Sequence, residues 1–376
     1  MTDVNKNAMG GAAPGIALTV VVPTYNEREN VGALVERVDA ALAGIAWEII
    51  FVDDHSPDGT ADVLRELARG DARVRVMERV GRRGLASACI EGMMASAAPY
   101  IVVMDADLQH DEAVLPEMLR KISAGGLDVV IASRRIEGGS MGEFAQRRVK
   151  LSDLGTRMGR LVCRCDVTDA MSGFFVVEAK YFRATVPRLT GTGFKILLDI
   201  LASSKRRARV AEVAYRFRAR QVGESKLDAN VALEYLFLLV DKLIGRWIPT
   251  RFVVFGLVGA LGVVVHLAVL AILFRNHYLN FLRAQAVATV VSMTFNFVLN
   301  NVVTFRDRRL RGINFVFGLM KFYMACAIGA VMNVGFAGVM MRHGMRWWLV
   351  GVAGTAISSV WNYWVNAVVT WRRARR

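Results

Sequence analysis

Asp105, Asp107 and Gln109 bring three oxygen-bearing side chains to alternate positions at the end of the apolar run Ile101 to Met104. The run reads as a buried strand, so the three project the same way just where the strand must end. Carboxylates at that spacing, with open positions for water and substrate phosphates, suit a hard divalent cation. The two acids also stand ahead of a helical run from Glu112 to Ser123, where an N-cap would use an Asp. On this stretch alone, metal and cap account for the residues equally well.

The elements that would position these residues are legible upstream and downstream. Leu18 to Val22, Trp47 to Val52, Arg73 to Met77, Tyr100 to Met104 and Leu127 to Ala132 read as strands, with helical segments between them. Strands alternating with helices predict an α/β domain with a mostly parallel sheet. Ligands bind such sheets at the carboxyl ends of the strands, which puts Tyr25, Glu27, Asp53, Asp54, Asp105, Asp107, Ser133 and Arg134 on one rim. Neither a Gly-x-Gly-x-x-Gly nor a Walker sequence follows the first strand, which argues against dinucleotide oxidoreductases and P-loop NTPases. A metal bridging a diphosphate fits the acidic rim instead. Asp53 serves equally as a turn acid, Asp58 with Gly59 reads as turn chemistry, and His55 as loop surface.

The second half of the chain changes character. Of the 376 residues, 54% are hydrophobic and the formal net charge is +15. Residues 241 to 376 hold 16 Lys and Arg against two acids, Asp241 and Asp307. These cations bracket long apolar runs rather than forming one patch, so anionic lipid headgroups fit as partners and nucleic acid does not. Four stretches, about 252–274, 284–305, 322–341 and 347–371, are each long enough to span a bilayer. Arg306, Arg308, Arg309 and Arg311 follow the second, and Arg372, Arg373, Arg375 and Arg376 follow the fourth, while Lys242, Arg246, Arg251 and Lys321 precede spans on the same side. Arg275, Arg283, Arg342 and Arg346 stand on the other, so both termini are expected in the cytoplasm. An internal repeat supports the count: Phe295 to Arg306 matches Trp361 to Arg372, and Arg251-Phe252 is paired with Lys321-Phe322. Two helix hairpins of parallel topology would result. Asn296, Asn300, Asn362 and Asn366 fall within spans, where a role gluing helices is favoured over contact with a lipid phosphate. His266 reads as packing.

Residues 1–15 read as a disordered tail without a secretory signal, which places the first domain in the cytoplasm. Residues 229–249 read as an amphipathic helix on the bilayer surface, with an ordinary interdomain helix as the alternative. Cys89, Cys163, Cys165 and Cys326 are too scattered for a disulfide framework, and Cys163-Arg164-Cys165 lacks the second half of a zinc site.

Six motifs, in order over roughly residues 18 to 228, carry a family resemblance: Pro-Thr-Tyr-Asn-Glu (23 to 27), Val-Asp-Asp-x-Ser-Pro-Asp-Gly-Thr (52 to 60), Asp-Ala-Asp-Leu-Gln-His (105 to 110), Ser-Gly-Phe-Phe (172 to 175), Gly-Phe-Lys-Ile-Leu-Leu (193 to 198) and Gly-Glu-Ser-Lys-Leu (223 to 227). The set resembles the polyprenyl-phosphate (dolichol-phosphate-type) mannosyltransferases of glycosyltransferase family 2. The resemblance implies a GT-A, Rossmann-like domain over 16–228 and transfer of a hexose from GDP-mannose to a polyprenyl phosphate. It implies that Pro23, Tyr25, Glu27, Asp54 and Ala106 face the nucleotide and that Asp105, Asp107 and Gln109 hold Mg or Mn. Residues 250 to 372 resemble the GtrA-like four-helix membrane family, with looser motifs. The sequence departs from the transferase pattern at His110-Asp111-Glu112, where relatives usually carry prolines.

Two anions held together need fixed cations. Arg134 and Lys226 stand in or beside motifs and are assigned to catalysis; Arg147, Arg148, Arg218, Arg220 and Lys195 are candidates for acceptor phosphate or sugar, and Asp169 for a sugar hydroxyl or acceptor contact. Each basic candidate could instead be a surface charge, and Lys195 a packing residue. Two other functions remain in view: a UDP-glucose-dependent glucosyltransferase, and a lipid-linked-sugar transporter whose soluble half only binds a sugar nucleotide. A homo-oligomer through the spans is suggested by analogy alone.

Overall fold

The computed structural model describes residues 15–137, 162–163, 165–191, 193–218, 237–242, 248–276, 278–343 and 347–371. The chain divides into two compact units, Met1–Leu243 and Ile244–Arg376.

The first unit is built on seven strands, β1 (Leu18–Thr24), β2 (Trp47–Asp53), β3 (Val74–Glu78), β4 (Tyr100–Val103), β5 (Val129–Ser133), β6 (Phe175–Glu178) and β7 (Val210–Ala214). Their order is β3-β2-β1-β4-β6-β5-β7. All pairs run parallel except those of β6, which lies antiparallel between β4 and β5. The expected strands appear within two residues of their predicted ends. β6 and β7 were not anticipated, the first being only four residues long and the second, Val-Ala-Glu-Val-Ala, only weakly apolar.

Side chains alternate across the sheet as the strand period requires. Val21, Ile50, Val52 and Ile131 enter one core with α3 (Leu85–Met94), α5 (Ala179–Thr185) and α6 (Ile196–Ser203). Val20, Val22, Ile49, Phe51 and Val130 enter the other with α1 (Val31–Ala41), α2 (Thr60–Gly70) and α4 (Leu115–Ser123). Gly92 lets α3 lie directly on the sheet, since a Cβ there would meet Val21 at 2.5 Å and Val52 at 2.8 Å.

Pro23, expected to end β1, instead lies inside it, in register with Val52. Proline cannot donate to a ladder. Val21 O accepts from Met104 N at 3.2 Å, so by alternation the nitrogen of Pro23 also turns to the β4 side, where pairing has already stopped at Val21 and Val103.

Asp128, fully buried, holds the opposite end of β5, accepting from Arg209 N at 2.8 Å and from the Arg206 and Arg209 guanidinium groups. Burial raises this carboxyl, but the arginine hydrogen bonds outweigh burial and hold it below the usual carboxylate range.

The described part of the expected surface helix, 237–242, is helical. It packs Leu238 and Leu239 into the first core and pairs Lys242 Nζ with Asp199 at 2.6 Å. Residues 229–236 and 243–247 of that segment, the tail 1–14, and Arg346, Arg372, Arg373, Arg375 and Arg376 lie outside the described residues.

In the second unit α7 (Thr250–Arg275), α8 (Phe281–Leu299), α9 (Ile313–Arg342) and α10 (Trp347–Val365) follow in order. Among the described residues three helices are long and apolar enough to cross a membrane, at Thr250–Arg275, Arg283–Thr304 and Ile313–Met332. α9 begins at Ile313, so Lys321 sits inside a helix instead of ahead of a span. α8 and α10 each end in one π turn, Asn300–Thr304 and Asn366–Thr370. The two turns share their bonding. Asn300 Nδ2 donates to Asn296 O at 2.9 Å and Thr304 Oγ1 to Asn300 Oδ1 at 2.6 Å, while Asn366 Nδ2 donates to Asn362 O and Thr370 Oγ1 to Asn366 Oδ1, each at 2.7 Å. These bonds tie each helix end to itself, where the sequence favoured gluing one helix to another.

The repeat register differs in the first helix of each hairpin. A Cβ on Gly262 would meet the Asn296 side chain at 2.2 Å, and one on Gly329 the Asn362 side chain at 2.4 Å. Gly262 therefore corresponds to Gly329, and buried Phe255 to buried Phe322, which replaces the pairing of Arg251-Phe252 with Lys321-Phe322. Arg251 stands at the start of α7 but Lys321 lies inside α9, so the two are not equivalent, whereas the glycine contact recurs in both hairpins.

Two outcomes are expected. Asp128→Asn lowers unfolding free energy by about 2 kcal/mol at pH 7, with Arg206 and Arg209 left half-partnered. Because the folded carboxyl titrates below the unfolded one, near 3.9, that stability is present above pH ~4 and lost as pH falls through the folded value, so urea melts of wild type and variant converge in acid. Gly262→Val wedges α7 from α8, and detergent-solubilised variant should lose at least about 5 °C of melting temperature.

Candidate active site

The rim formed by the ends of β1, β2, β4 and β5 and the start of β6 collects the predicted residues. Asn26, His55 and Leu108 are the non-glycine residues with positive φ among those described, at 59°, 54° and 59°, and each follows a strand onto this rim. Backbone held in the left-handed region costs energy and concentrates at functional sites.

From Asp105 to His110 burial alternates: Ala106, Leu108 and His110 are buried, while Asp105, Asp107 and Gln109 are partly exposed. The alternation survives although β4 ends at Val103, because the segment continues as a turn over an aromatic floor. His110 stacks on Phe174 at 5.0 Å with Tyr215 and Phe217 edge-on. Burial pulls His110 down to about 4, so it is neutral at pH 7, and its Nδ1 accepts from Asp105 N at 3.2 Å.

The cap explanation goes to a different residue. Asp111 accepts from Ala113 N and caps the turn Glu112–Val114 that leads into α4. Gln109 N donates to Asp107 Oδ1 at 3.2 Å, and Gln109 Nε2 donates to Arg218 O at 3.1 Å, which leaves the amide oxygen as the end able to ligate. Two carboxylates and one amide oxygen form the hard donor set that Mg or Mn takes. Among the described residues no three His, Cys, Asp or Glu side chains form a cluster that could hold a metal, and this set contains only two acids.

Arg218, expected among the acceptor cations, is committed elsewhere. Its guanidinium donates to His110 O at 3.2 Å, Glu112 Oε2 at 2.6 Å and Asp111 Oδ1 at 2.7 Å, and its N–H to Gln109 O at 2.9 Å. The acids that replace the usual prolines after His110 are thus its partners.

Asp54, expected to face the nucleotide, is 7% exposed and holds the loop after β3. It accepts from buried Arg79 Nη1 at 2.8 Å and Gly84 N at 2.7 Å. That loop sets Arg83 over the Tyr25 ring at 4.5 Å and against its hydroxyl at 2.9 Å. Asp53 is a turn acid, accepting from Thr24 Oγ1, Ser56 N and Ser56 Oγ. Glu27 accepts from Asn30 Nδ2 at 2.7 Å, and Pro23 is partly exposed.

Asp169, expected to touch sugar or acceptor, is 1% exposed and grips Arg134 in a two-point pair, Nε to Oδ2 at 2.8 Å and Nη2 to Oδ1 at 3.1 Å. Among the described residues no hydrogen bond falls on the Nη1 edge of Arg134. Lys195 Nζ donates to Met171 O at 3.4 Å. Burial pulls the Lys195 ammonium below the usual lysine range, and Arg134 adds to the effect against the pull of Asp105 and Asp169. Asp105, Arg134, Asp169 and Lys195 therefore share one electrostatic neighbourhood.

A glycosyl transferase family 2 model matches residues 19–185, and a GtrA/DPMS transmembrane-domain model matches 254–371. The dolichol-phosphate mannosyltransferase of Pyrococcus furiosus is 35% identical over 94% of this chain and 99% of its own. The chain belongs to the dolichol-phosphate mannosyltransferase family. The enzyme of that name from Mycosarcoma maydis is 34% identical over 69% of this chain and 88% of its own. Among solved structures, glucosyl-3-phosphoglycerate synthase from Mycobacterium tuberculosis, in complex with Mn2+, UDP-glucose and phosphoglyceric acid, gives a TM-score of 0.46 at 18% identity over 61% of this chain and 80% of that chain. That likeness is too low to bear on chemistry.

The transferase thus joins a GT-A-like catalytic domain to a membrane domain. Its candidates Arg147, Arg148, Arg220 and Lys226 lie outside the described residues. Arg79 and Glu212 were missed from sequence; Arg79 directly follows β3 on the rim, a signal that could have found it, whereas Glu212 sits in the unrecognised strand β7. A Cβ on Gly173 would stand 3.0 Å from Asp105 Oδ2. Gly173→Ala should displace that carboxylate, keep the melting temperature within about 3 °C, and raise the divalent cation concentration for half-maximal transfer about tenfold in a metal titration.

Proposed function

We propose that the transferase moves mannose from GDP-mannose to a long polyprenyl monophosphate, with inversion and with a divalent cation, at the cytoplasmic membrane face. The observation that carries this reading is the nearness of Asp105, Arg134, Asp169 and Lys195 at the sheet rim, an acid of the Asp105-x-Asp107 pair beside cations for phosphate. The printed names of the Pyrococcus, Mycosarcoma and Saccharomyces relatives, each a dolichol-phosphate mannosyltransferase, support mannose and a dolichyl-type acceptor.

Asp105, Asp107 and the Gln109 amide oxygen would hold Mg or Mn, whose charge stabilises the diphosphate as it leaves. An acceptor phosphate oxygen forms a bond to the sugar anomeric carbon as the bond from that carbon to the diphosphate breaks, and the electron pair departs on GDP. The acceptor needs no general base, since its second pKa is about 6. Arg134, through its Nη1 edge, and Lys195 hold the acceptor phosphate against its repulsion by the donor. Tyr25, Glu27 and Pro23 face the nucleotide, with Asp54 acting through the loop it ties down and the buried Ala106 as a spacer between Asp105 and Asp107. Lys226, Arg147, Arg148 and Arg220 supply further cations. Four spans with both termini cytoplasmic follow from the arginines after Thr304 and Trp371.

Detergent-purified enzyme given polyprenyl phosphate and GDP-mannose should move mannose into the lipid phase, stop with EDTA and recover with excess Mg or Mn. Asp107→Asn should lower turnover by about 10²-fold or more. Transfer from UDP-glucose alone overturns the donor assignment, and transfer indifferent to EDTA overturns the metal.

A further inference from the structure

Arg134 is oriented by a network that begins on the neighbouring strand. Glu212 lies on β7 opposite Ile131 of β5, two residues from Ser133. Its carboxylate accepts from Thr168 N at 3.1 Å to each oxygen, from Thr168 Oγ1 at 2.7 Å and from Asp169 N at 3.2 Å. One acid thus takes both backbone donors of the turn that carries Asp169.

The direction of the chain of hydroxyls is fixed by the carboxylate. Glu212 can only accept when ionised, so Thr168 Oγ1 donates to it. Ser133 Oγ and Thr168 Oγ1 are 2.8 Å apart, and Arg135 N donates to Ser133 Oγ at 3.3 Å. Ser133 therefore donates to Thr168, and each acceptor from Ser133 to Glu212 is polarised by the group after it. The line ties the residues either side of Arg134 to the turn holding Asp169, whose two oxygens grip the guanidinium.

We infer that Glu212 is a positioning residue for acceptor binding: it fixes Asp169 and so sets which edge of the Arg134 guanidinium faces the acceptor phosphate. Glu212 touches no reacting atom, and the inference rests on Arg134 serving the acceptor, as proposed above. A guanidinium displaced by about 1 Å costs on the order of 10²-fold in a positioned reaction. A carboxamide at 212 keeps one acceptor oxygen for the Thr168 hydroxyl and loses the charge, whereas alanine removes all four hydrogen bonds.

The test is steady-state kinetics of the full-length enzyme with donor and acceptor varied separately, beside thermal melts. Glu212→Ala and Thr168→Val should raise the acceptor KM at least about tenfold with the donor KM within about twofold, and Glu212→Gln should fall between Ala and wild type. Asp128→Asn, which weakens the fold at the other end of β5, should leave both KM values as in wild type. An unchanged acceptor KM, equal rises in both KM values, or a fall in kcat alone overturns the inference. If Glu212→Ala does not fold, Glu212→Gln and Thr168→Val decide by the same criteria. If the wild type transfers no sugar, the functional reading fails separately, and calorimetric binding of farnesyl phosphate decides the inference. Weaker binding by Glu212→Gln than by wild type upholds it, while equal binding, or none by the wild type, overturns it.

Discussion

Parallel pairing between β1 and β4 stops at Val21 and Val103, although β1 continues beside β2 as far as Thr24 and Asp53. That early stop opens a gap in the sheet on the β4 side. It lets a proline sit in an interior strand without leaving a β4 carbonyl unmet, and it frees the chain after Met104 to turn while still alternating buried and exposed residues. On the other edge of β4, β6 runs in from the opposite direction, so that Ser172, Gly173 and Phe174 arrive at the same rim as Asp105. Acids and cations of like purpose thus come from four strand ends, with an aromatic floor of His110, Phe174, Tyr215 and Phe217 beneath them.

What the sequence revealed of this site depends on whether a residue's neighbours are local. Asp105, Asp107 and Gln109 carry their own context, an apolar strand on one side and a helix start on the other, and their exposure follows from that pattern. Asp54, Asp169 and Arg218 do not. Each is a charged residue at a plausible rim position whose partners lie 25, 35 and 106 or more residues away, so nothing nearby distinguishes a ligand contact from a buried ion pair. Burial decides it: an uncompensated charge inside the sheet edge is costly, and Arg79, Arg134 and the acids at 111 and 112 compensate it.

The strands show the same division. β1, β2 and β5 contain the apolar runs Val20 to Val22, Ile49 to Val52 and Val129 to Ala132 and were readable. β6 and β7 are short, and β6 runs against the direction that strand and helix alternation predicts, so only pairing with β4 and β5 establishes it. In the membrane unit the matching tail segments, 295–306 and 361–372, were recognisable because identical side chains perform identical bonds. The first helices of the two hairpins offered similar residues at two offsets, and the contact between glycine and asparagine selects one.

The two halves of that repeat meet where their copies coincide. Phe305 and Trp371, equivalent residues, stack with centroids 4.3 Å apart and planes 9° from parallel. Asn301 completes the seam, accepting from Leu310 N at 2.8 Å and Trp371 Nε1 at 3.0 Å and donating to Leu310 O at 3.1 Å. Its counterpart, Ala367, can do none of this. Among the described residues the fastening is a neutral amide among backbone groups and an indole, joined by one charged donor, Arg308 Nη1, which gives a hydrogen bond to Trp371 O at 3.2 Å. The amide and the indole offer salt nothing to screen, so ionic strength and headgroup charge reach the joint between the hairpins only through that arginine.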